Sequence, residues 1–570
     1  MASSFMGLYV QREALVTAQK ALDITGNNIS NVKTTGYSRQ RVDVCSVANK
    51  GYNLFYNTSV SMAGQGVDTV GITQLRDALL DRKVRTYNTQ STELNAKGTI
   101  MSDVETALDC IESDTIDDTK GYSIIANFAK FKEALQSFSA DNADREELAN
   151  VAIQSAKSFV QQMNYLSTRL DDISRQTLGD AQGAVSRVNS ILESMGTLNE
   201  QITNSYISMG YISSTAGNYI VDNDYGPLEL KDKMNNLLDE LSNYGDVSVK
   251  EENNGSFTVS FAGQIVVHNK QYAQMAMTEE TPKPFDMAFT ITNAGTYDPA
   301  TDTYSGLKDA DDWYKLQTQF GSTELYTRQD ADAIDITGTD KLNRGELRAY
   351  LDTYNGDGVY ATDGGNNYQG IEYYRDMLNA LAKTMTEKLN EIFEPDFGFT
   401  LFSYADANGN EDFHSAAANF RVSDDWINDP TLISKPEKFL NGKEDDMDEL
   451  NNEYVNKILG AFSTDFTYGY TDAAGKVHND PVSLTFEKYL AHISDTLGTQ
   501  IDSNNKLKET TDIMLESVVS ARDEVMAVSV NEEGINMMNY QKWYNAIARM
   551  VTTLDEALDK VINGMGIVGL

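Results

Sequence analysis

Proline is scarce in this chain, 8 among 570 residues, against an average usage near 5%. Without ring-imposed breaks, helices can run long, and rigid linkers are few. Cysteine is scarcer. Cys45 and Cys110 are the only two, too few for a disulfide framework, and they are expected to be two unpaired thiols. The four histidines, His268, His414, His478 and His492, have no His or Cys at ligand spacing, and there is no His-Glu-x-x-His. A zinc peptidase site is therefore not expected, and no metal or cofactor is assigned. Neither a Gly-x-Ser-x-Gly elbow nor a phosphate loop occurs. Asp406, Asn408, Asn410 and Asp412 imitate the start of a calcium loop, but Ala417 stands where its closing Glu belongs, so a polar turn is expected. No catalytic residue is nominated and the chain is not expected to be an enzyme.

Positive charge is also in short supply. With 46 basic against 85 acidic residues the net charge is -39, a mismatch for phosphate backbones and anionic membrane surfaces, which excludes nucleic acid as a partner. The balance reverses only near the start: residues 1–60 carry Arg12, Lys20, Lys33, Arg39, Arg41 and Lys50 against Glu13, Asp23 and Asp43. Acid gathers further on, as in Glu444-Asp445-Asp446-Met447-Asp448-Glu449, which reads as a solvated face. No basic start leads into an apolar stretch, and nowhere do about 18 apolar residues run together, so neither a secretory signal peptide nor a membrane span is expected.

What the chain does have is heptads. Met537, Tyr540, Tyr544, Ile547, Val551, Leu554, Leu558, Val561 and Met565 follow one another at alternating intervals of 3 and 4. That 3.5-residue repeat puts a narrow apolar seam on one helix face and calls for a partner helix. Leu8, Leu15, Leu22 and Ile29 stand one heptad apart at the other end, with small Ala18 and Ala21 beside them. A single helix of this kind loses about 1 to 2 kcal/mol of backbone freedom per residue, more than one row of buried side chains returns. Each end is therefore marginal by itself. It either packs on the parent domain or finds partners in other subunits.

Between the ends, Leu80, Tyr87, Leu94, Met101 and Leu108 are seven apart, and two further runs, Phe159 to Ile173 and Val188 to Ile202, repeat the 3/4 spacing with a phase slip between them. Long antiparallel helices follow. After Gly245 the period becomes two, with Val247, Val249, Phe257, Val259 and Phe261 separated by the Asn253-Asn254-Gly255 turn, a hairpin series. Helix is expected again from Gly345-Glu346-Leu347 and from Phe486 onward. The expected fold is α+β and multi-domain, an elongated rod with terminal coiled-coil helices, a long helical bundle domain and β-rich outer parts. The divisions are 1–55 with 530–570 for the terminal helices, 56–242 with 345–395 and 483–529 for the bundle, 243–344 for a β-rich outer domain, and 396–482 for a second outer, turn-rich region.

Ala21-Leu22-Asp23-Ile24-Thr25-Gly26-Asn27-Asn28-Ile29-Ser30-Asn31, followed by Thr34-Thr35-Gly36-Tyr37-Ser38-Arg39-Gln40, resembles the N-terminal signature of the bacterial flagellar axial proteins of rod, hook and junction. Its ending, Gly36-Tyr37-Ser38-Arg39-Gln40, is typical of the hook–filament junction members. Arg76-Asp77-Ala78-Leu79-Leu80 and the closing Tyr540-Gln541-x-x-Tyr544-x-Ala546-x-Ala548-Arg549 are similar to the same family. The likeness covers roughly the first 270 residues and the last 85 well and the middle thinly. One departure lies at Ser529-Val530-Asn531-Glu532-Glu533-Gly534, before the last helix, and bears on the geometry of that bend.

The resemblance implies a structural subunit joining hook to filament, assembled by packing of N- and C-terminal helices between subunits. Implied partners are copies of itself in a ring, the hook protein, the second junction protein and an export chaperone on the C-terminal helix. It also implies export through the flagellum's own type III apparatus without a cleaved signal peptide. Asn27, Asn28, Asn31, Gly36, Tyr37, Ser38, Arg39 and Gln40 carry the signature. From residue chemistry alone, Gly26 and Gly36 are expected to supply turn conformations and the asparagines to bond nearby backbone. Two alternatives stay open: another axial protein, hook or rod, and an acidic coiled-coil surface adhesin.

Overall fold

The structure is a computed structural model that describes residues 4–47, 66–112, 123–140, 145–209, 213–215, 218–220, 225–252, 255–280, 286–292, 296–298, 303–305, 333–361, 365–393, 400–434, 452–472 and 474–564. The acidic run at 444–449 and Met565 lie outside the described residues, as does the side chain of Cys110; Cys45 is exposed and free.

Helices dominate. Besides the short helix Asp424–Asn428, those among the described residues are, in chain order, α1 (Ser4–Ser30), α2 (Ala78–Glu112), α3 (Ile124–Ala140), α4 (Arg145–Met209), α5 (Leu228–Leu241), α6 (Glu346–Tyr354), α7 (Ile371–Asn390), α8 (Glu453–Ala461), α9 (Phe486–Met526) and α10 (Val530–Asp559). With 65 residues, α4 is roughly 100 Å long and forms the spine. Its buried row Phe159, Met163, Leu166, Leu170 and Ile173 continues into Val188, Ile191, Met195, Leu198 and Ile202. The helix does not break at the phase slip, because buried Thr177 and Ala181 carry the stripe across it. α9 lies antiparallel to α2: Asn504 donates to the Leu94 carbonyl at 2.9 Å, and Arg522 reaches back to Asp81 at 3.8 Å. Thr485 caps the start of α9 by accepting from the Lys488 amide.

Every strand ladder among the described residues is antiparallel; the one parallel pairing is the isolated bridge between Gly356 and Asn366. Strands Val247–Glu251, Phe257–Phe261, Gln264–His268 and Gln271–Tyr272 form a four-stranded meander. Gln274–Glu280, Asp286–Thr292 and Ile334–Asp335 form a second sheet with Asp286–Thr292 in the centre. Two asparagines on α4 fasten both sheets. Asn199 donates to the Phe257 carbonyl at 2.7 Å and accepts from the same residue's amide at 2.8 Å. Asn189 does the same to Met275, at 2.9 and 2.7 Å. These side chains satisfy strand backbone where it meets a helix, where an unpaired amide would be costly. The hairpin Phe466–Thr471 with Val477–Leu484 leads into α9.

The buried side chains of bundle, sheets and the 400–486 region form one continuous cluster, from Ile100 on α2 to Leu497 on α9. No side chain of α1 or α10 belongs to it. The terminal helices bury Ala18, Ala21 and Ile547 in a small site of their own.

Candidate assembly site at the paired terminal helices

α1 packs against α10 within the chain. The pair is antiparallel: a Cβ on Gly7 would lie 3.6 Å from a δ-carbon of Leu554, while Asn28 bonds Glu533 at the other end. On α10 the heptad residues turn inward. Ile547 is 4% exposed, Met537, Tyr540, Tyr544, Val551, Leu554 and Leu558 are half-buried, and Val561 is 53% exposed. On α1 the heptad positions Leu8, Leu15, Leu22 and Ile29 are half-buried and flank a fully buried line of small and polar residues, Thr17, Ala18, Ala21, Thr25 and Asn28. Small side chains on that line allow close approach, since α1 is also covered by the ribbon of β1 (Gln40–Ser46) and β2 (Val67–Gln74). Strand residue Thr69 lies against Thr17, their hydroxyls 3.3 Å apart. The pair leaves much apolar surface uncovered: Tyr9, Val530, Ile535, Met538 and Met550 are each more than half exposed.

The signature residues gather where α1 ends. Asn28 is buried and uses its whole hydrogen-bonding capacity. Its Nδ2 donates to the Gln40 carbonyl at 2.9 Å and to Glu533 Oε2 at 3.2 Å. Its Oδ1 accepts from the Gln40 amide at 3.0 Å and from the Tyr37 hydroxyl at 2.9 Å. Asn27 donates to the Tyr37 oxygen at 3.3 Å and accepts from Asn31 at 2.9 Å. Burial, then the Asp232, Glu229 and Glu533 carboxylates, push the Tyr37 phenol up to about 12, so it is a donor at neutral pH.

Gly36 has φ +76°, and a Cβ there would collide with the Asn236 side chain; only glycine fits that turn. Gly26 is different from the expectation. It lies inside α1, which runs on to Ser30, because Thr25 and Ser30 bond back to the carbonyls of Ala21 and Gly26 and the helix ladder continues through Asn27 and Asn28. The bend is made by residues 31–39 alone.

Ser38 and Arg39 tie this bend to three other elements. Ser38 donates to Asp232 on α5 through its amide at 3.1 Å and its hydroxyl at 2.7 Å. Arg76 joins the same group, 3.5 Å from Asp232 and doubly bonded to Asp81 on α2. Burial raises the Asp232 pKa, while the two Ser38 bonds and Arg76 pull the other way. Arg39 forks over the start of α10, bonding Glu533 at 2.7 to 2.9 Å and Glu532 at 2.9 Å, and its amide caps α9 through the Met526 carbonyl at 2.9 Å. Glu532 is exposed and its pair contributes little. Glu533 is buried, so leaving it unpaired would be costly. Ser529 caps α10, accepting from the Glu532 amide, so the corner between α9 and α10 is residues 527–529, and the departing sequence at 529–534 supplies the cap and the first turn of α10.

Glu533 and Asp232 are the two members of this clasp that the sequence reading passes over. A signal for Glu533 existed in the acid pair one turn behind a helix-capping serine. Nothing in the sequence separates Asp232 from the other acids.

Asn28→Ala is expected to orphan the Gln40 backbone, the Tyr37 hydroxyl and part of Glu533, costing about 3 kcal/mol at roughly 1 to 3 kcal/mol per buried unpaired group. Amide exchange in α1 and α10 should speed up by about two decades with the α4 amides unchanged. Unaltered exchange in α1 would count against the clasp.

Residues 112–401, just over half of the chain, match the family described as the flagellar hook-associated protein FlgK helical domain. The chain belongs to the FlgK family. Residues 8–37, which hold α1 and the bend, match the family described as flagella basal body rod protein. Flagellar hook-associated protein 1 of Bacillus subtilis is 26% identical over 586 positions, covering 100% of both chains. Its namesake from Escherichia coli is 22% identical, covering 96% of this chain and 98% of its own. Among solved structures, the flagellar hook junction protein FlgK from Burkholderia pseudomallei is similar at a TM-score of 0.41 and 16% identity, over 57% of this chain and 47% of its own.

Proposed function

We propose that this chain is a structural subunit of the bacterial flagellum that joins hook to filament, assembling through its N- and C-terminal helices. One observation carries the reading. The α1/α10 pair stands outside the main core and keeps its seam half open, with Tyr9, Met538, Met550 and Val561 exposed around it. An apolar surface of that kind on a secreted rod marks a contact with other molecules. The partners are copies of itself around a ring, the hook protein below and the second junction protein above. An export chaperone holds α10 before assembly, because its seam would otherwise aggregate.

The division of labour follows the chain: 1–55 with 530–570 form the inner layer, 56–242 with 345–395 and 483–529 the supporting bundle, and 243–344 and 396–482 the outward-facing parts. Catalysis has no place in this reading. Export proceeds without a cleaved signal peptide through the type III apparatus, a route suited to a chain with so few cysteines. Among the described residues no helix is long and apolar enough to cross a membrane.

Gold-labelled antibody against this chain is expected to mark a single band between hook and filament on isolated flagella. Label along the hook or within the basal body would make it a hook or rod protein, and label over the cell surface would favour an adhesin.

A further inference from the structure

Away from the termini, one cluster has no part in the assembly reading. Glu372 and Asp376 stand four residues apart on the first turns of α7, so both side chains project from one face of the helix. His414 comes from the 400–422 segment, on the single turn Phe413–Ser415 that Asp412 caps. One ligand atom from each of the three lies within 4.8 Å of the others. Asp376 is 1% exposed. Its Oδ1 accepts from Asn379 at 3.0 Å and faces His414 Nδ1 at 3.3 Å, whereas its Oδ2 is buried with no hydrogen-bond partner. A carboxylate oxygen buried without a donor is costly in a folded protein, and an ion supplies what that oxygen lacks.

We propose that Glu372, Asp376 and His414 bind a divalent transition-metal ion, for which Zn²⁺ is the probe. The donor set is two carboxylates and an imidazole, which suits zinc and its first-row neighbours and disfavours Mg²⁺ and Ca²⁺, which take oxygen ligands. The surroundings fit such a site. Asn379 bonds both Asp376 and the His414 carbonyl, the latter at 3.0 Å, and accepts from the Ala417 amide at 2.8 Å, so it fixes both halves of the cluster as an outer-shell residue does. Arg375 bonds Glu372 but is also held by Asp171 at 2.8 Å, which shares out its charge. The Phe413 ring stacks on Tyr470 with centroids 4.1 Å apart and walls one side. His414 remains 40% exposed on its side chain, which leaves an entry path, and closing its imidazole onto the carboxylates brings the donors to bonding distance. The ion would pin the 400–422 segment to α7. Sequence spacing hid the arrangement, since the histidine is 38 residues from Asp376.

The test is calorimetric titration of the chelator-stripped full chain with Zn²⁺, repeated with Mg²⁺, and with Co²⁺ read by its visible absorption. One Zn²⁺ per chain is expected, with micromolar or tighter affinity, a raised melting temperature and no heat from Mg²⁺. His414→Ala, a half-exposed site that should leave the fold intact by circular dichroism, is expected to weaken binding at least tenfold and to abolish the Co²⁺ bands. Asp376→Asn should do the same. Absence of binding to the wild-type chain, or binding that His414→Ala leaves unchanged, overturns the site. Neither result touches the assembly reading, which has its own readouts.

Discussion

A strain lacking this chain is expected to build complete hooks, release flagellin monomers into the medium and fail to swim. A filament subunit needs a ring of half-covered helices to add to, and α1 and α10 present that surface on a body whose core is independent of them. If the proposed ring is missing, exported flagellin is expected to have no platform and to diffuse away, while a hook built beneath would be untouched. Electron microscopy of the strain and immunoblotting of the medium check this. Cells without hooks would place the chain in the rod or hook.

Leu554→Asp should give the same swimming defect from a chain that folds. Leu554 sits beside Gly7, where α1 and α10 meet near their outer end, and a carboxylate set into that apolar contact costs about 3 kcal/mol or more unless it finds a cation. Summed over every copy in the proposed ring, that penalty is expected to prevent closure. The body should be unaffected, since no buried side chain of its core comes from α10. Circular dichroism of the variant should match the parent, and Leu558→Asp should behave alike. A motile strain with normal filaments carrying either change would remove the seam from the mechanism.

Much of this architecture is legible in the sequence because periodicity reports burial. The 3/4 spacing gives α4 and α10, the change to period two after Gly245 gives the meander, and Thr485-Phe486 marks the start of α9. Local patterns fail where the deciding contact is distant. Gly26 reads as a turn residue, yet the helix passes through it because bonds on either side hold the ladder. Asn27 and Asn28 read as asparagines that bond nearby backbone, and Asn28 does so at Gln40, but it is also the buried hub of a clasp whose Glu533 arm is 505 residues away. The α1 leucines read as the centre of the seam, whereas Ala18 and Ala21 occupy it because the β1/β2 ribbon covers α1 as well. The cluster on α7 is invisible for the same reason: no spacing rule links two carboxylates on a helix to a histidine beyond the next loop.

The separation between Asn28 and Glu533 also has a consequence for folding. Closing a loop of 505 residues costs entropy that rises only slowly with length, by about 0.6 kcal/mol per doubling, once the ends are free to meet at random. Here they are not random. The antiparallel α2/α9 pair holds the two segments near one place, so a formed bundle shortens the loop that α1 and α10 have left to close. Pairing of the termini is therefore expected late in folding, so that the proposed assembly surface is complete only on a finished subunit. A truncated or half-folded chain would present no complete seam, and on the proposed function the clasp would then act as a checkpoint against incorporating defective copies.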